Sequence, residues 1–370
     1  MTIDLRRIAL AVLAPLLAIV FSLVVTALVL VLTGDPVWST AKAVLDYGTK
    51  PNVLALTLNQ GTVYYLSALA VAIGFRMNLF NIGVDGQYRL AAFTAAVVGS
   101  SISLPKPLHI LVIVVTAMLV GAMWAGIAAV LKATRGVSEV ISTIMLNAIA
   151  TTLIAYLLRQ VKYDVAGSNN IGTKPIDESG AFPGIDLVPG TDVKVFGFIV
   201  VAVIAGIVYT VVLGRTRFGF DLRATGRSQS AAVASGVDVK RMVVYSLLIS
   251  GAVAGLVGMP QLLGGSTRSY SLDFPVGLGF TGIAIALLGR NNAIGMALSA
   301  LLFAFLDSSS IILDFNGISK EIVLIMQGTI VLSVVVVYEL VRRYGVAAEQ
   351  RRVSRQLADE HPATPTEVPA

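Results

Sequence analysis

Asn81, Asp85 and Arg89 stand four residues apart in the stretch FRMNLFNIGVDGQYRLAA, Phe75 to Ala92, and on a helix all three share one face. A carboxylate four residues ahead of a guanidinium is the orientation that favours an ion pair along a helix. Gln87 adds a second amide, and Gly83 and Gly86 loosen the first turns or admit a close helix crossing. This polarity sits between two long apolar runs. A charge at a bilayer centre costs about 2.5–3.5 kcal/mol on insertion scales, and pairing or a place near a membrane surface lowers that cost. Two readings stand: an interrupted helix lining a transport pathway, or polar groups that bond neighbouring helices.

A second polar stripe runs through EVISTIMLNAIATT, where Glu139, Thr143, Asn147 and Thr151 recur every four residues. It must face protein or water rather than lipid. Thr151 reads as interhelical glue, while Glu139 suits an interface anchor as well as a pathway group. Asn59, Gln60 and Tyr64 offer the same pair of readings one span earlier. A third cluster is basic: GRTRFGFDLRATGRSQSAAVASGVDVKR, Gly214 to Arg241. Ser228 suits an N-cap and Gly236 the left-handed residue past a helix end, so a short helix is expected over 228–235. Its small body holds Ala231 and Ala232, and Arg223, Gly226 and Arg227 precede it. Such a helix can enter a cleft on another protein. A solvated basic loop would need the arginines but not the capped, alanine-rich helix.

Catalytic chemistry has no candidate residues. A phosphate loop needs GxxxxGK[ST] between a strand and a helix. The nearest match, GSNNIGTK at Gly167 to Lys174, has Thr and Lys in the wrong order. There is no HExxH and no G-x-S-x-G. The chain has no cysteine, and its two histidines, His109 and His361, are far apart, so no metal site or cofactor is expected.

The elements that must hold these groups are membrane spans. Of 370 residues 56% are hydrophobic and 13% charged, with a mean hydropathy of +0.84, against roughly 25% charged in a soluble domain. Ten helical spans are expected, at 8–32, 53–75, 79–100, 108–131, 139–161, 196–213, 241–263, 277–289, 293–312 and 321–341, so the fold class is all-α and polytopic. The run at 277–289 is too short to span alone and must start earlier, break or be shielded. With the N-terminus inside, seventeen of the 27 Lys and Arg fall in cytoplasmic loops and nine outside, with Arg89 in a span. That asymmetry places both termini in the cytoplasm and accounts for the net charge of +6 without nucleic acid. A transmembrane domain is expected over 1–344, with a turn-rich external loop at 162–195 and the basic loop at 214–241. The proline-bearing tail 345–370 is expected to be disordered. Spans three and eight, both interrupted, are five apart and so inverted, which points to a five-plus-five inverted repeat with the pathway between them.

The segments FNIGVDGQ, EVISTIMLN, ATGRSQSAAVASGVDVKR, SGAVAGLVGMPQLLG and GFTGIAIALLGRNNAIGMALSALLF occur in one order. Together they resemble the permease family of bacterial ABC importers for branched-chain amino acids, ribose-type sugars and nucleosides. The likeness covers about residues 50–340 and is strongest to the nucleoside branch, where Asp85 stands at a position usually held by Glu. The resemblance implies an inner-membrane permease that is not itself an enzyme. Its implied partners are a second permease subunit, often a different chain, ATP-binding subunits and an extracytoplasmic substrate-binding protein. It also implies that the helix at 228–235 is the coupling helix docking on the ATPase. Import of a simple sugar such as ribose or galactose is the runner-up. An ion-coupled secondary transporter is a rival from another class; its coupling-ion candidates, Asp85 and Asp307, are both expected nearer a membrane surface than the midplane. A structural membrane scaffold is a weaker rival.

Overall fold

The computed structural model describes residues 20–164, 171–319 and 321–333, with Val336 and Arg343. The start of the first expected span, residues 165–170 of the 162–195 loop, Lys320, most of the tenth span beyond 333, His361 and the 345–370 tail lie outside the described residues. So does the Gly167–Asn170 half of the phosphate-loop near-match.

Among the described residues the chain is all-α apart from four two-residue strands. Two units form. One contains α1 (Val20–Thr33) and α14 (Glu321–Ser333), joined where the Ser22 hydroxyl donates to the Met326 carbonyl at 3.1 Å. The larger unit holds α2 (Val37–Gly48), α3 (Pro51–Phe75), α4 (Val84–Ser101), α5 (Lys106–Arg135), α6 (Glu139–Gln160), α7 (Ile199–Arg215), α8 (Arg217–Arg227), α9 (Gln229–Ala234), α10 (Val239–Gly255), α11 (Met259–Gly264), α12 (Leu278–Leu288) and α13 (Ala293–Phe315). A helix stands at each of the ten expected spans. Four are long and apolar enough to cross a membrane by length and composition: α5, α6, α10 running on into α11, and α13.

Sequence sets the ends of these helices. Pro51 opens α3 at a position where its missing N–H costs nothing. Gly136, left-handed at φ 67°, closes α5, and Lys132 and Arg135 in the last turn complement its dipole. Asn292 caps α13 by accepting from the backbone of Ile294 and Gly295. Two departures from expectation shape the site. α4 begins at Val84, not near residue 79, because residues 76–83 run as irregular chain with Asn78 at φ 59°. α12 has 11 residues and is shielded by α3, α4 and α13.

The pairings in the larger unit repeat between its halves. α3 packs on α13 as α10 packs on α5; α4 packs on α5 as α12 on α13; α4 meets α10 as α12 meets α3. The α5–α10 crossing is close enough that Gly121 lies directly on the backbone of Gly251 and Gly255, where no side chain fits. At one end of the unit gather the irregular turn after α3, the α5–α6 connection with its Lys132–Glu139 ion pair at 2.8 Å, and α8 and α9. The opposite end carries the described part of the 162–195 loop. There β1 (Tyr163–Asp164) pairs with β2 (Ile171–Gly172) and β3 (Gly184–Ile185) with β4 (Val195–Phe196), both antiparallel. His109, fully buried, bonds Ser179 of this loop at 2.8 Å and the Gly99 carbonyl at 2.9 Å, which is a structural use of the ring.

Candidate functional site

Five of the seven residues nominated for the pathway converge on the N-terminus of α4. A helix start leaves N–H groups without intrahelical partners, and inside a membrane another element must supply acceptors. α6 does so: Asn147 accepts from Gly86 N at 2.8 Å and donates to the Ile82 carbonyl at 2.9 Å. Gly86 is required here, because a Cβ would lie 2.9 Å from the Asn147 Oδ1 atom. Thr143, fully buried, lies one turn earlier, packed toward Gly83, and donates to the Glu139 carbonyl at 2.7 Å. Asn81 and Gln87 pair amide to amide at 3.0 and 2.9 Å. Asn81 also accepts from Gly83 N at 3.1 Å and donates to Ser250 Oγ on α10 at 2.8 Å. Ser250 in turn donates to the Ala70 carbonyl of α3 at 2.6 Å. Every hydrogen-bonding position of the Asn81 amide is thus used, so the irregular segment 76–83 is fastened to three helices.

Asp85 is different. It is 8% exposed, and its Oδ1 accepts from the backbone N–H of Gly277 at 2.9 Å. Gly277, left-handed at φ 82°, is the N-cap of α12. The next turn of α12 presses on the same group, with the Cβ direction of Gly279 pointing to within 3.1 Å of Oδ2. Asp85 therefore lies where the N-termini of α4 and α12 meet. Both helix dipoles present their positive ends there, the placement that favours a carboxylate. Tyr88, one turn on, donates to the Pro275 carbonyl at 2.6 Å and fixes the chain leading into α12. Among the described residues Oδ2 is buried with no hydrogen-bond partner, as is Nε of Arg89.

The expected Asp85–Arg89 ion pair does not form among the described residues; Arg89 instead donates to Thr151 at 3.0 Å. The backbone N–H of Gly277, at the start of α12, takes the carboxylate that a guanidinium was expected to hold. The Ser67 hydroxyl of α3 donates to the Leu278 carbonyl at 2.7 Å and holds this end of α12 against α3.

Asn59 and Gln60 are not brought to this point. Asn59 donates to the Lys194 carbonyl at 3.1 Å and accepts from Phe196 N at 2.6 Å, pinning β4 at the opposite end. Gln60 is half-buried one turn from Tyr64, which donates to Asp307 at 2.9 Å and joins α3 to α13.

The basic loop folds as its caps require. Ser228 accepts from Ala231 N at 3.3 Å, and Gly236, at φ 81°, closes α9. Gly236 N bonds the Val233 carbonyl at 2.9 Å and Val237 N the Ala232 carbonyl at 3.0 Å, the two bonds of a Schellman end. Ala232, in the small helix body expected to enter a cleft on another protein, instead faces inward at 2% exposure. Val233 at 61% and Phe220 of α8 at 62% are the apolar groups that face out. Arg223, Arg227 and Ala231 line a cleft of about 390 Å³ between α8 and α9, and Gly226 packs on the chain just past α3. Ser250 and Gly277 carry much of this geometry and were not nominated; each acts on a partner far away in sequence, and no local pattern marks them.

Known proteins give the arrangement its setting. The family model for the branched-chain amino acid transport system permease component matches residues 53–335. A guanosine ABC transporter permease protein of Bacillus subtilis (strain 168) is 36% identical over 333 residues, 89% of this chain and 94% of the relative. A nucleoside ABC transporter permease protein of Lactococcus lactis subsp. cremoris (strain MG1363) is 30% identical over 88% of this chain and 91% of its own. A glucose ABC transporter permease protein of Haloferax volcanii is 33% identical over 91% and 90%. No solved structure matches.

Proposed function

Because the chain belongs to the family of branched-chain amino acid transport system permease components, we propose that it forms half of the membrane pathway of an ATP-driven importer whose cargo is a nucleoside. It is a multi-pass membrane protein, a permease subunit rather than an ATPase, and the family works with ATP-binding and substrate-binding partners. The observation that carries the cargo is the 36% identity, across nearly the whole chain, to a guanosine permease. A simple sugar is the second reading, favoured by the 33% identity to a glucose permease.

The mechanism proposed is alternating access about the meeting point of α4 and α12. Asp85 ties the two helix starts together, and Asn81, Gln87, Thr143 and Asn147 hold α4 in place so that this one contact can be made or released. The paired packing of α3–α13 and α10–α5 supports an inverted repeat around it. Loops rich in Arg and Lys, including 214–241, lie at the end we assign to the cytoplasm, with both termini on that side. The pathway is completed by a second permease subunit, a different chain. α9 is the element that docks on the ATP-binding subunit.

Substrate choice tests the cargo directly. The complete complex, with its cognate binding protein in proteoliposomes, should import radiolabelled guanosine, and excess unlabelled adenosine or uridine should compete while glucose and ribose do not. Import of glucose with nucleosides inert would transfer the protein to the sugar reading.

A further inference from the structure

Arg76 is the first residue past α3 and is half-buried. Its Nη2 donates to the backbone carbonyl of Asn291 at 2.6 Å, and its Nε reaches the Tyr209 hydroxyl of α7 at 3.4 Å. The Tyr209 hydroxyl donates to the same Asn291 carbonyl at 2.8 Å. One carbonyl oxygen therefore receives a guanidinium and a phenol together. The turn it belongs to joins α12 to α13, and Arg290 and Asn291 both sit at φ 54°, a left-handed conformation that non-glycine residues seldom adopt. Such a turn persists only when its surroundings hold it; beside its own backbone bonds from Arg290 N to the Leu287 carbonyl and from Asn291 N to the Ala286 carbonyl, Arg76 and Tyr209 fasten it to α3 and α7.

The backbone of Arg76 faces the other way. Its carbonyl and the adjoining Met77 lie against Gly226 of α8, so closely that a Cβ on Gly226 would stand 2.6 Å from the Arg76 oxygen. α8 leads through Ser228 straight into α9, with Ser228 N bonded to the Ala224 carbonyl. A continuous path thus runs from α9 through α8 to Arg76, and from its guanidinium to the turn at the end of α12. α12 has 11 residues, about 16 Å, and its far end is Gly277 on Asp85.

We propose that Arg76 is the positioning residue that couples the basic loop to the pathway, locking α8 to the α12–α13 turn so that α9 and α12 move as one body. This rests on the reading of α9 as the docking element. Arginine suits the role because its rigid planar fork donates from separate nitrogens, Nε to Tyr209 and Nη2 to Asn291, whereas a lysine donates from a single nitrogen on a flexible stem.

The chain has no cysteine, so spin labels can be placed at Arg217→Cys on α8 and Ile294→Cys on α13, whose side chains are 95% and 74% exposed. In the complete complex the wild-type background should give one label separation, the same without nucleotide and when trapped with ATP and vanadate. In Arg76→Gln the two separations should diverge. Guanosine imported per ATP hydrolysed should fall at least fivefold while the complex purifies in normal yield, and Arg76→Lys should lie between. A wild-type separation that changes on trapping would overturn the proposal. So would an Arg76→Gln complex with unchanged import per ATP, or one whose yield falls in step with import, since that is the behaviour of a structural staple. A wild-type complex that hydrolyses ATP but imports no guanosine would sink the cargo reading alone, because the label separations report on Arg76 without any cargo.

Discussion

Val233→Arg should separate the permease from its ATP-binding subunit while leaving the membrane domain intact. Val233 is a lone apolar side chain, 61% exposed, on a six-residue helix of small and polar residues. Both ends of that helix are fixed by its own caps, Ser228 and Gly236, so its shape does not depend on a partner. Arginine is a good helix former and points here to solvent in the free chain, so folding and membrane insertion should persist. In a docked interface the same side chain would bring an unpaired charge into a cleft shaped for valine. A loss of about 3 kcal/mol corresponds to roughly a hundredfold weaker docking. Copurification of the ATP-binding subunit should be lost and cargo-stimulated ATP hydrolysis should drop with it. Ala232→Arg is the contrast: at 2% exposure its arginine would collide with the chain's own packing, so that variant should lose yield instead. Full copurification and full stimulated hydrolysis in Val233→Arg would return the 214–241 loop to a positively charged anchor.

Asp85→Asn should depress transport about tenfold with assembly preserved. The side chain keeps its size, and its remaining oxygen can still accept from Gly277 N, now without a charge. What it loses is the negative charge at two helix N-termini and the charge assistance of that bond, a difference of about 1.4 kcal/mol or a factor of ten. The buried Oδ2 is replaced by an NH₂ group beside the N–H-rich start of α12, where donor meets donor. The contact between α4 and α12 is therefore weakened selectively. The measurement is initial uptake rate against yield and thermal stability of the complex in detergent. Normal transport would remove Asp85 from the mechanism, and a parallel loss of stability would make it a packing residue.

Much of this architecture is legible in the chain itself. Among the described residues apolar length locates a helix at each expected span, and local capping chemistry locates α9 to within a residue or two, because both depend on neighbours in sequence. The start of α4 escapes such reading: Leu79, Phe80 and Ile82 are as apolar as a helix in lipid, yet that segment is irregular chain held by Asn147 and Ser250 from other helices. Asp85 has an obvious partner four residues away and takes one 192 residues away instead. Which face of α9 turns inward depends on α8 and α10, which its own small residues do not specify. The polar stripe of α6 is half legible, since spacing puts Thr143 and Asn147 on one face but does not name the helix start they serve. Asn59 looks equivalent to them and pins a loop at the opposite end, because its bonding is fixed by β4.

The central claim is that this chain forms half of a nucleoside pathway driven by ATP bound elsewhere, and proteoliposome uptake tests it most directly. The complex of this permease with its partner permease, ATP-binding subunits and binding protein is reconstituted with ionophores that collapse proton and sodium gradients. Guanosine should accumulate when ATP is supplied to the side of the ATP-binding subunits, and should stop when ATP is withheld or replaced by a non-hydrolysable analogue. Uptake by this chain alone, driven by an imposed ion gradient and indifferent to ATP, would contradict the account.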